Sequence, residues 1–367
     1  MKSFVLKELV TTNIESELEK IGFDIAYRAK AADKFVYKTF KIFDLTLPQA
    51  NILKQTALSF GADCGVHKNV LVNQIEKTDV ILGGSYSQLK KICEKLKFQP
   101  FALKFLAEKI LAELDLEKRK TKLVGILNVT PDSFSDGGKY FDPNEARKKM
   151  FQLIEDGADA IDIGAESTRP GANIVNPEEQ IKRLTPVLKN LPDIPISIDT
   201  RSSEVARFAL DNGVSIVNDV SGLDYDYKML DIVAEYGAGL IIQHSAGVSE
   251  NRPRYNDLIE DVYFAFLKKI DMAKEKGVKN LILDVGIGFG KSANENFEIL
   301  KRINEYHSLH LPLMVGVSRK SFLGVKENNN ELKDALSAAV SYPLINKVDF
   351  LRVHNIYLHK QLLNSVI

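Results

Sequence analysis

Residues 122–130, KLVGILNVT, form a short aliphatic and β-branched run that ends in polar residues, and seven similar runs follow it. They are AIDIGAE (160–166), PISIDT (195–200), SIVNDVS (215–221), GLIIQHS (239–245), LILDVG (281–286), LPLMVGVS (311–318) and FLRVHN (350–355). Between them lie amphipathic stretches such as EARKKMFQLIEDG (145–157), EEQIKRLTPVLKNL (178–191), SSEVARFALDNG (202–213) and DLIEDVYFAFLKKIDMAKEKG (257–277). Several of these stop at a glycine, the residue suited to a left-handed C-cap. Strand runs alternating with helical stretches predict parallel strands joined by crossover helices. Eight such units fill residues 122–367, which is 246 residues and close to the ~250 typical of a closed eight-stranded barrel. The expected fold is α/β: a TIM (β/α)8 barrel preceded by a small α/β domain over residues 1–121.

That N-terminal segment carries 20 Lys+Arg and 15 Asp+Glu, against 29 and 34 in the rest. Its runs TFKIFDLTL (39–47), NVLVNQI (69–75) and TDVILGG (78–84) predict strands, with helices around ILKQTALSFG (52–61) and SQLKKICEKL (87–96). The stretch FALKFLAEKILAELDLEKRK (101–120) reads as an amphipathic connecting helix. Its polar residues do not converge at strand ends, so no catalytic group is expected from this segment. Over the whole chain 49 basic residues balance 49 acidic ones, which argues against nucleic acid or an anionic membrane as a bulk electrostatic partner. No apolar run approaches the ~20 residues of a membrane span, and the first residues lack a signal-peptide core, so a cytoplasmic protein is expected. Cys64 and Cys93 are too few for a disulfide framework or a cysteine zinc cluster.

In a barrel of this kind chemistry collects at the C-terminal ends of the strands. The eight runs end in or carry Asn128, Glu166, Asp199, Asn218 with Asp219, His244, Asp284, the cluster Ser318-Arg319-Lys320-Ser321, and Arg352 with His354 and Asn355. A polar group at every exit implies one converging pocket. Individual residues have plainer readings. Asp199 and Asp219 would also serve as helix caps, Ser203 as a helix-start residue, His244 as a satisfied rim histidine, and Arg319 as the partner of a wall carboxylate. His67, His307, His310 and His359 are expected to be solvated. The run DVGIGFGKS (284–292) nearly spells a phosphate-binding loop, but that motif needs glycine where Val285 stands. Its glycines are read as letting the backbone approach a flat ligand beside Asp284.

The segments VGILNVTPDSFSDGGKYF (124–141), DIGAESTRPGA (162–172), ISIDT (196–200), VNDVSG (217–222), LDVGIGFGK (283–291), VGVSRKSFLG (315–324) and LRVHN (351–355) occur in that order. Together they resemble dihydropteroate synthases across essentially all of residues 122–367. The resemblance implies coupling of 6-hydroxymethyl-7,8-dihydropterin diphosphate to 4-aminobenzoate, with Mg²⁺ as cofactor, in a homodimer open to sulfonamides. Carried over residue by residue, it implies a pterin set of Asp199, Asn218, Asp284 and Lys320. It implies a diphosphate and metal set of Arg352, His354 and Asn128, with Asn128 on the metal. Phe134 and Asp136 fall in one closing loop, and Thr168, Arg169 and Pro170 in another, with Phe289 and Ser321 beside the aminobenzoate. Asp136, Lys320, Arg352 and His354 would be the catalytic members. A pterin edge presents paired donors and acceptors, which suits carboxylates, an amide and a lysine.

Three positions depart from the family pattern: Val285 replaces a usual proline, Asn355 a usual aspartate, and Gln243 the usual methionine before His244. The N-terminal segment also lies outside the family's minimal length, and it carries no signature of a fused dihydroneopterin aldolase or pyrophosphokinase. Two other functions compete. A methyltetrahydrofolate methyltransferase also holds a pterin in a TIM barrel, but needs no diphosphate site, so SRKSFLG and RVH count against it. A pterin-binding protein without catalysis would not need Asn128, Arg169, Lys320, Arg352 and His354 together.

Overall fold

The computed structural model describes residues 6–9, 13–115, 119–130, 142–166, 175–245, 254–325 and 329–366. The chain divides into two compact units, Met1–Glu117 and Lys118–Ile367.

The first unit is built on a three-stranded antiparallel sheet of β1 (Tyr37–Thr46), β2 (Asp63–Val66) and β3 (Lys77–Ser85), in the order β1-β3-β2. Helices Leu47–Ser59 and Tyr86–Leu96 each begin at a capping box, Thr46 with Gln49 and Ser85 with Gln88. Val80 and Leu82 of β3 pack with Leu53, Leu89, Ile92 and Leu96 from those helices. The expected strand NVLVNQI is instead a short 3-10 turn, Lys68–Val70, and the second strand is Asp63–Val66. That run does not alternate: Val70 is buried while Leu71 and Val72 are exposed, and Asn73 sits at a left-handed φ of 53°. The expected connecting helix, Leu103–Leu114, buries Leu103, Ala107, Ile110 and Leu114 in this unit's own core.

The second unit is a closed barrel of β4 (Lys122–Asn128), β5 (Ala160–Gly164), β6 (Ile196–Asp199), β7 (Ile216–Asp219), β8 (Gly239–Gln243), β9 (Asn280–Asp284), β10 (Leu313–Val315) and β11 (Phe350–Val353). Neighbouring strands are parallel throughout. The eight runs read from the sequence are the eight strands. Helices follow as expected, although the one after β5 stops at Leu184 because Pro186 cannot continue it. Gly237 caps the helix Met229–Tyr236 in the left-handed conformation.

Residues two apart on a strand share a face, and this alternation stacks the barrel interior in layers. Val124, Ile241 and Met314 form an apolar floor, with Ala160, Ile216, Ile282 and Phe350 packed against it. Two residues further along the same strands stand Asp162, Asn218, Gln243, Asp284 and Arg352. An apolar floor therefore carries a polar layer toward the C-terminal ends of the strands.

Candidate active site

Arg352 organises the polar layer. Its Nη1 donates to Asp162 Oδ2 at 3.1 Å, and its Nη2 to Asp284 Oδ2 at 2.8 Å and Gln243 Oε1 at 3.2 Å. All four side chains are buried, and buried charges persist only when paired and hydrogen-bonded. Burial works against the guanidinium's charge, but Asp284, Asp162 and Asp199 outweigh it and hold the group protonated. Asp162 is filled further by Ser197 Oγ at 2.6 Å and Asn218 Nδ2 at 2.8 Å. That leaves Asn218 Oδ1 buried without a hydrogen-bond partner among the described residues, and Asp199 Oδ1 is in the same position. Burial, with Asp162 nearby, raises the Asp199 carboxyl well above the usual range.

Asn128, Gly164, Asp199 and Asn218 lie in one register row across β4 to β7. A Cβ at Gly164 would stand 3.5 Å from Asp199 Cβ and 3.7 Å from Asn128 Oδ1, so the glycine leaves the space between these two side chains open. Asp284 Oδ1 accepts from Gly286 N–H at 2.8 Å, fixing the carboxylate at the root of the glycine-rich turn. Lys320 donates to the carbonyl of Ile287 in that turn, and its ammonium stands 4.6 Å from the centroid of the Phe289 ring. Ser321 follows it, exposed, at the start of the 3-10 turn Ser321–Leu323. His354 Nδ1 lies 2.9 Å from Ser318 Oγ, which also accepts from the His354 backbone N–H.

Asp199, Asn218, Asp284, Lys320, Phe289, Arg352, His354, Asn128 and Ser321 thus sit on the polar layer or on the strand exits above it. Phe134, Asp136, Thr168, Arg169 and Pro170 lie outside the described residues. The plainer reading holds for Arg319, which pairs through two bonds with Asp334, whereas Asp219 caps no helix: its carboxylate takes the N–H groups of Ser221 and Leu223 in the turn after β7, ahead of a helix that begins only at Met229. Ser203 begins the helix Ser203–Asp211, which Ser202 caps. His244 packs against Tyr255 and Phe266, and its Nδ1 has no partner among the described residues, so the rim histidine is not a satisfied one. His359, expected in solvent, is buried between the Asn355 carbonyl and Ser341 Oγ because its helix turns that face onto the barrel. Of the three departures, Val285 is core, Gln243 braces Arg352, and Asn355 caps the last helix while donating to Asp334.

The sequence reading missed Asp162, which shares Arg352 with Asp284, and Lys291, which lies buried behind the glycine-rich turn. Asp162 was visible as a charged residue inside a strand run that must be buried, where a partner is obligatory.

Burial pulls both Lys291 and Lys320 down to about 7, with Asp284 resisting the shift in each case. The unfolded chain, whose lysines titrate near their ordinary value, therefore binds more protons than the folded one above about pH 7, and folding stability grows with pH there. Cys64 and Cys93, pushed up to about 11 by burial, act in the opposite sense above about pH 9, where the unfolded thiols ionise first. The melting temperature is expected to climb from about pH 7 to about pH 9, to level off as the two effects offset each other, and to decline above about pH 10. A flat or falling profile between the first two of those values in differential scanning fluorimetry would contradict the buried lysines.

A family model described as pterin binding enzyme matches residues 124–354. A probable bifunctional folylpolyglutamate synthase/dihydropteroate synthase of Haloferax volcanii is 35% identical over 91% of this chain and 43% of its own. The chain thus spans less than half the length of that relative. A bifunctional dihydropteroate synthase/dihydropteroate reductase of Helicobacter pylori is 31% identical over 98% of this chain and 97% of its own. Among solved structures, a Xanthomonas albilineans dihydropteroate synthase with 4-aminobenzoic acid is 34% identical and superposes with a TM-score of 0.63, covering 67% of this chain and 92% of that one.

Proposed function

The chain belongs to the dihydropteroate synthase family of pterin-binding enzymes, and on that premise we propose that it joins 6-hydroxymethyl-7,8-dihydropterin diphosphate to 4-aminobenzoate, giving 7,8-dihydropteroate and pyrophosphate. One observation carries the reading: Asp199 Oδ1 and Asn218 Oδ1 are buried acceptors without partners among the described residues, beside a carboxylate and guanidinium already locked together. An unmet buried polar atom costs about 1–3 kcal/mol. The N–H groups of an aminopyrimidine edge would satisfy both atoms. Asp284 anchors the same ring from β9, and Lys320 donates to its carbonyl side.

The reaction breaks the carbon–oxygen bond between the pterin methylene and the diphosphate, and forms a carbon–nitrogen bond to the aniline, whose proton leaves to solvent. The enzyme's task is to stabilise separated charge rather than to activate a strong nucleophile. Arg352 retains its Nε–H and one Nη1–H beyond the three bonds described, and these, with His354, face the departing phosphate oxygens in this scheme. Asn128 offers a neutral amide oxygen, a donor that Mg²⁺ accepts alongside water and substrate phosphates. Bound there, Mg²⁺ would neutralise charge on the diphosphate. Asp136 shields the developing pterin cation, and Phe134, Thr168, Arg169 and Pro170 close over the site. Phe289 and Ser321 line the aminobenzoate side, which a sulfonamide would share. The pterin diphosphate binds first, and its pyrophosphate helps to order that pocket.

A homodimer and a cytoplasmic location belong to the same proposal, and sedimentation and cell fractionation test them. Among the described residues no helix is long and apolar enough to cross a membrane. The function itself is tested by pyrophosphate release from the purified chain with Mg²⁺. Release should require both substrates, and a sulfonamide should compete with 4-aminobenzoate. Absence of release with intact pterin binding would favour the non-catalytic or methyltransferase reading, and noncompetitive inhibition would displace Phe289 and Ser321 from the aminobenzoate wall.

A further inference from the structure

We propose that Lys291 is a positioning residue that holds the glycine-rich turn 286–290, and with it Asp284, in the shape that receives the pterin ring; the inference rests on the function proposed above. Lys291 is only 5% exposed. Its ammonium donates to three backbone carbonyls, those of His244 at 3.1 Å, Gly286 at 3.0 Å and Phe289 at 3.3 Å. An ammonium has three N–H groups, so below about pH 7, where this lysine is charged, these bonds use them all. The side chain that makes the run look like a phosphate-binding loop therefore has no donor left for a phosphate.

The same turn is tied at its other polar atoms. Gly286 N–H goes to Asp284 Oδ1 and Gly288 N–H to Asn296 Oδ1 at 2.7 Å, while Lys320 takes the Ile287 carbonyl. Asn296, fully buried, reaches back to the carbonyls of Lys291 and Ser292 at 3.3 and 2.8 Å, which fixes the backbone that carries the lysine. Gly286 has a φ of +65°, and a Cβ there would lie 1.9 Å from the His244 carbonyl oxygen. The exits of β8 and β9 therefore touch backbone to backbone, and Lys291 bonds across the contact one step beyond the backbone bond of 2.8 Å from His244 N–H to the Asp284 carbonyl. Three carbonyls gathered around one point repel each other unless a cation or donor sits between them. Without Lys291 the Gly286 and Phe289 carbonyls lose the donor that gathers them toward His244, and the turn that bonds Asp284 Oδ1 through Gly286 N–H is held on fewer bonds.

The test uses the full chain and two probes, bare 6-hydroxymethylpterin and pyrophosphate, measured by calorimetry well below the melting temperature of each variant. Lys291→Met keeps the length and the apolar stem but removes all three donors. Its affinity for the pterin should fall about tenfold or more, while its affinity for pyrophosphate stays within about twofold of the parent. A loss of pyrophosphate affinity would overturn the proposal in favour of a phosphate ligand. Parent-like pterin affinity with only a lowered melting temperature would overturn it in favour of a purely structural lysine. Should Lys291→Met fail to fold, Lys291→Gln takes its place under the same criteria. If the parent chain itself binds no pterin, the function proposed above fails; if the parent binds it and the variant binds it equally well, only the role of Lys291 fails.

Discussion

Asp284→Ala is expected to weaken binding of bare 6-hydroxymethylpterin by about 2 kcal/mol or more, roughly thirtyfold, and to lower the melting temperature as well. Three functions rest on that fully buried carboxylate. It accepts from Arg352 Nη2 at 2.8 Å, it accepts from Gly286 N–H at 2.8 Å, and it is the proposed anchor of the pterin edge. Removing one member of a buried pair strands the charge of the other, at a cost of about 3–5 kcal/mol, so alanine alone would confound binding with stability. Asp284→Asn separates the two. The amide oxygen can still take Gly286 N–H and the side chain leaves no cavity, while the negative charge beside Arg352 and Lys320 is gone and Arg352 Nη2 keeps only Gln243 as acceptor. The asparagine variant should therefore lose pterin affinity on the scale of the alanine variant with a distinctly smaller fall in melting temperature. Parent-like affinity in both variants by calorimetry would remove Asp284 from the pterin site.

The barrel was legible because its strands are short aliphatic runs that finish in polar residues, and that pattern survives without any knowledge of packing. The rim of the site was legible for the same reason: Asn128, Asp199 and Asp284 are the final residues of their strands. Asp162 escaped because it sits in the middle of AIDIG, one position past the apolar Ile161, where a reader of strand ends does not look. The clue is its spacing, two residues beyond Ala160 on the face that Ala160 presents to the barrel floor. Arg352 stands in the same relation to Phe350, and a cation and a carboxylate at equal height inside one barrel must meet. Lys291 escaped for a different reason: DVGIGFGKS departs from the nucleotide-loop pattern at Val285, and outside that pattern a lysine after a glycine-rich turn carries no local sign of burial. In the first unit, NVLVNQI misled because hydrophobicity without alternation does not distinguish a strand from a buried turn. His359 misled because solvation was inferred from its helix without knowing which face that helix turns inward. The choice between pairing and catalysis at Arg319 depended on Asp334, fifteen positions away on another element, and no local pattern announces such a partner.

Arg352→Met should show the largest loss of turnover of any single substitution among the described residues, about 100-fold or more in kcat, the scale on which one preorganised donor to a developing anion acts. The reason begins in the ground state. Asp162 and Asp284 are both buried, and the guanidinium lies between them with bonds of 3.1 and 2.8 Å. With methionine in its place, two carboxylates and the nearby Asp199 face one another across a dry interior, and one or more must take up a proton. Protonated carboxyls donate where the pterin edge also donates, so the pterin affinity should fall too, and most steeply at acidic pH. The departing pyrophosphate loses its planar donor in addition, which the bare pterin does not feel. The ratio of the two effects is the informative quantity: kcat with the diphosphate substrate should fall further than affinity for the bare pterin. Arg352→Lys sharpens the comparison. A lysine restores the charge, but as a point donor it cannot reach Asp162, Gln243 and Asp284 in the geometry of a planar fork. It should recover much of the stability lost in the methionine variant and much of the pterin affinity, yet little of the turnover. Equal recovery of both would assign Arg352 to holding the polar layer together and leave the phosphate to His354 and the metal. Near-parent kcat in the methionine variant would remove Arg352 from the chemistry altogether.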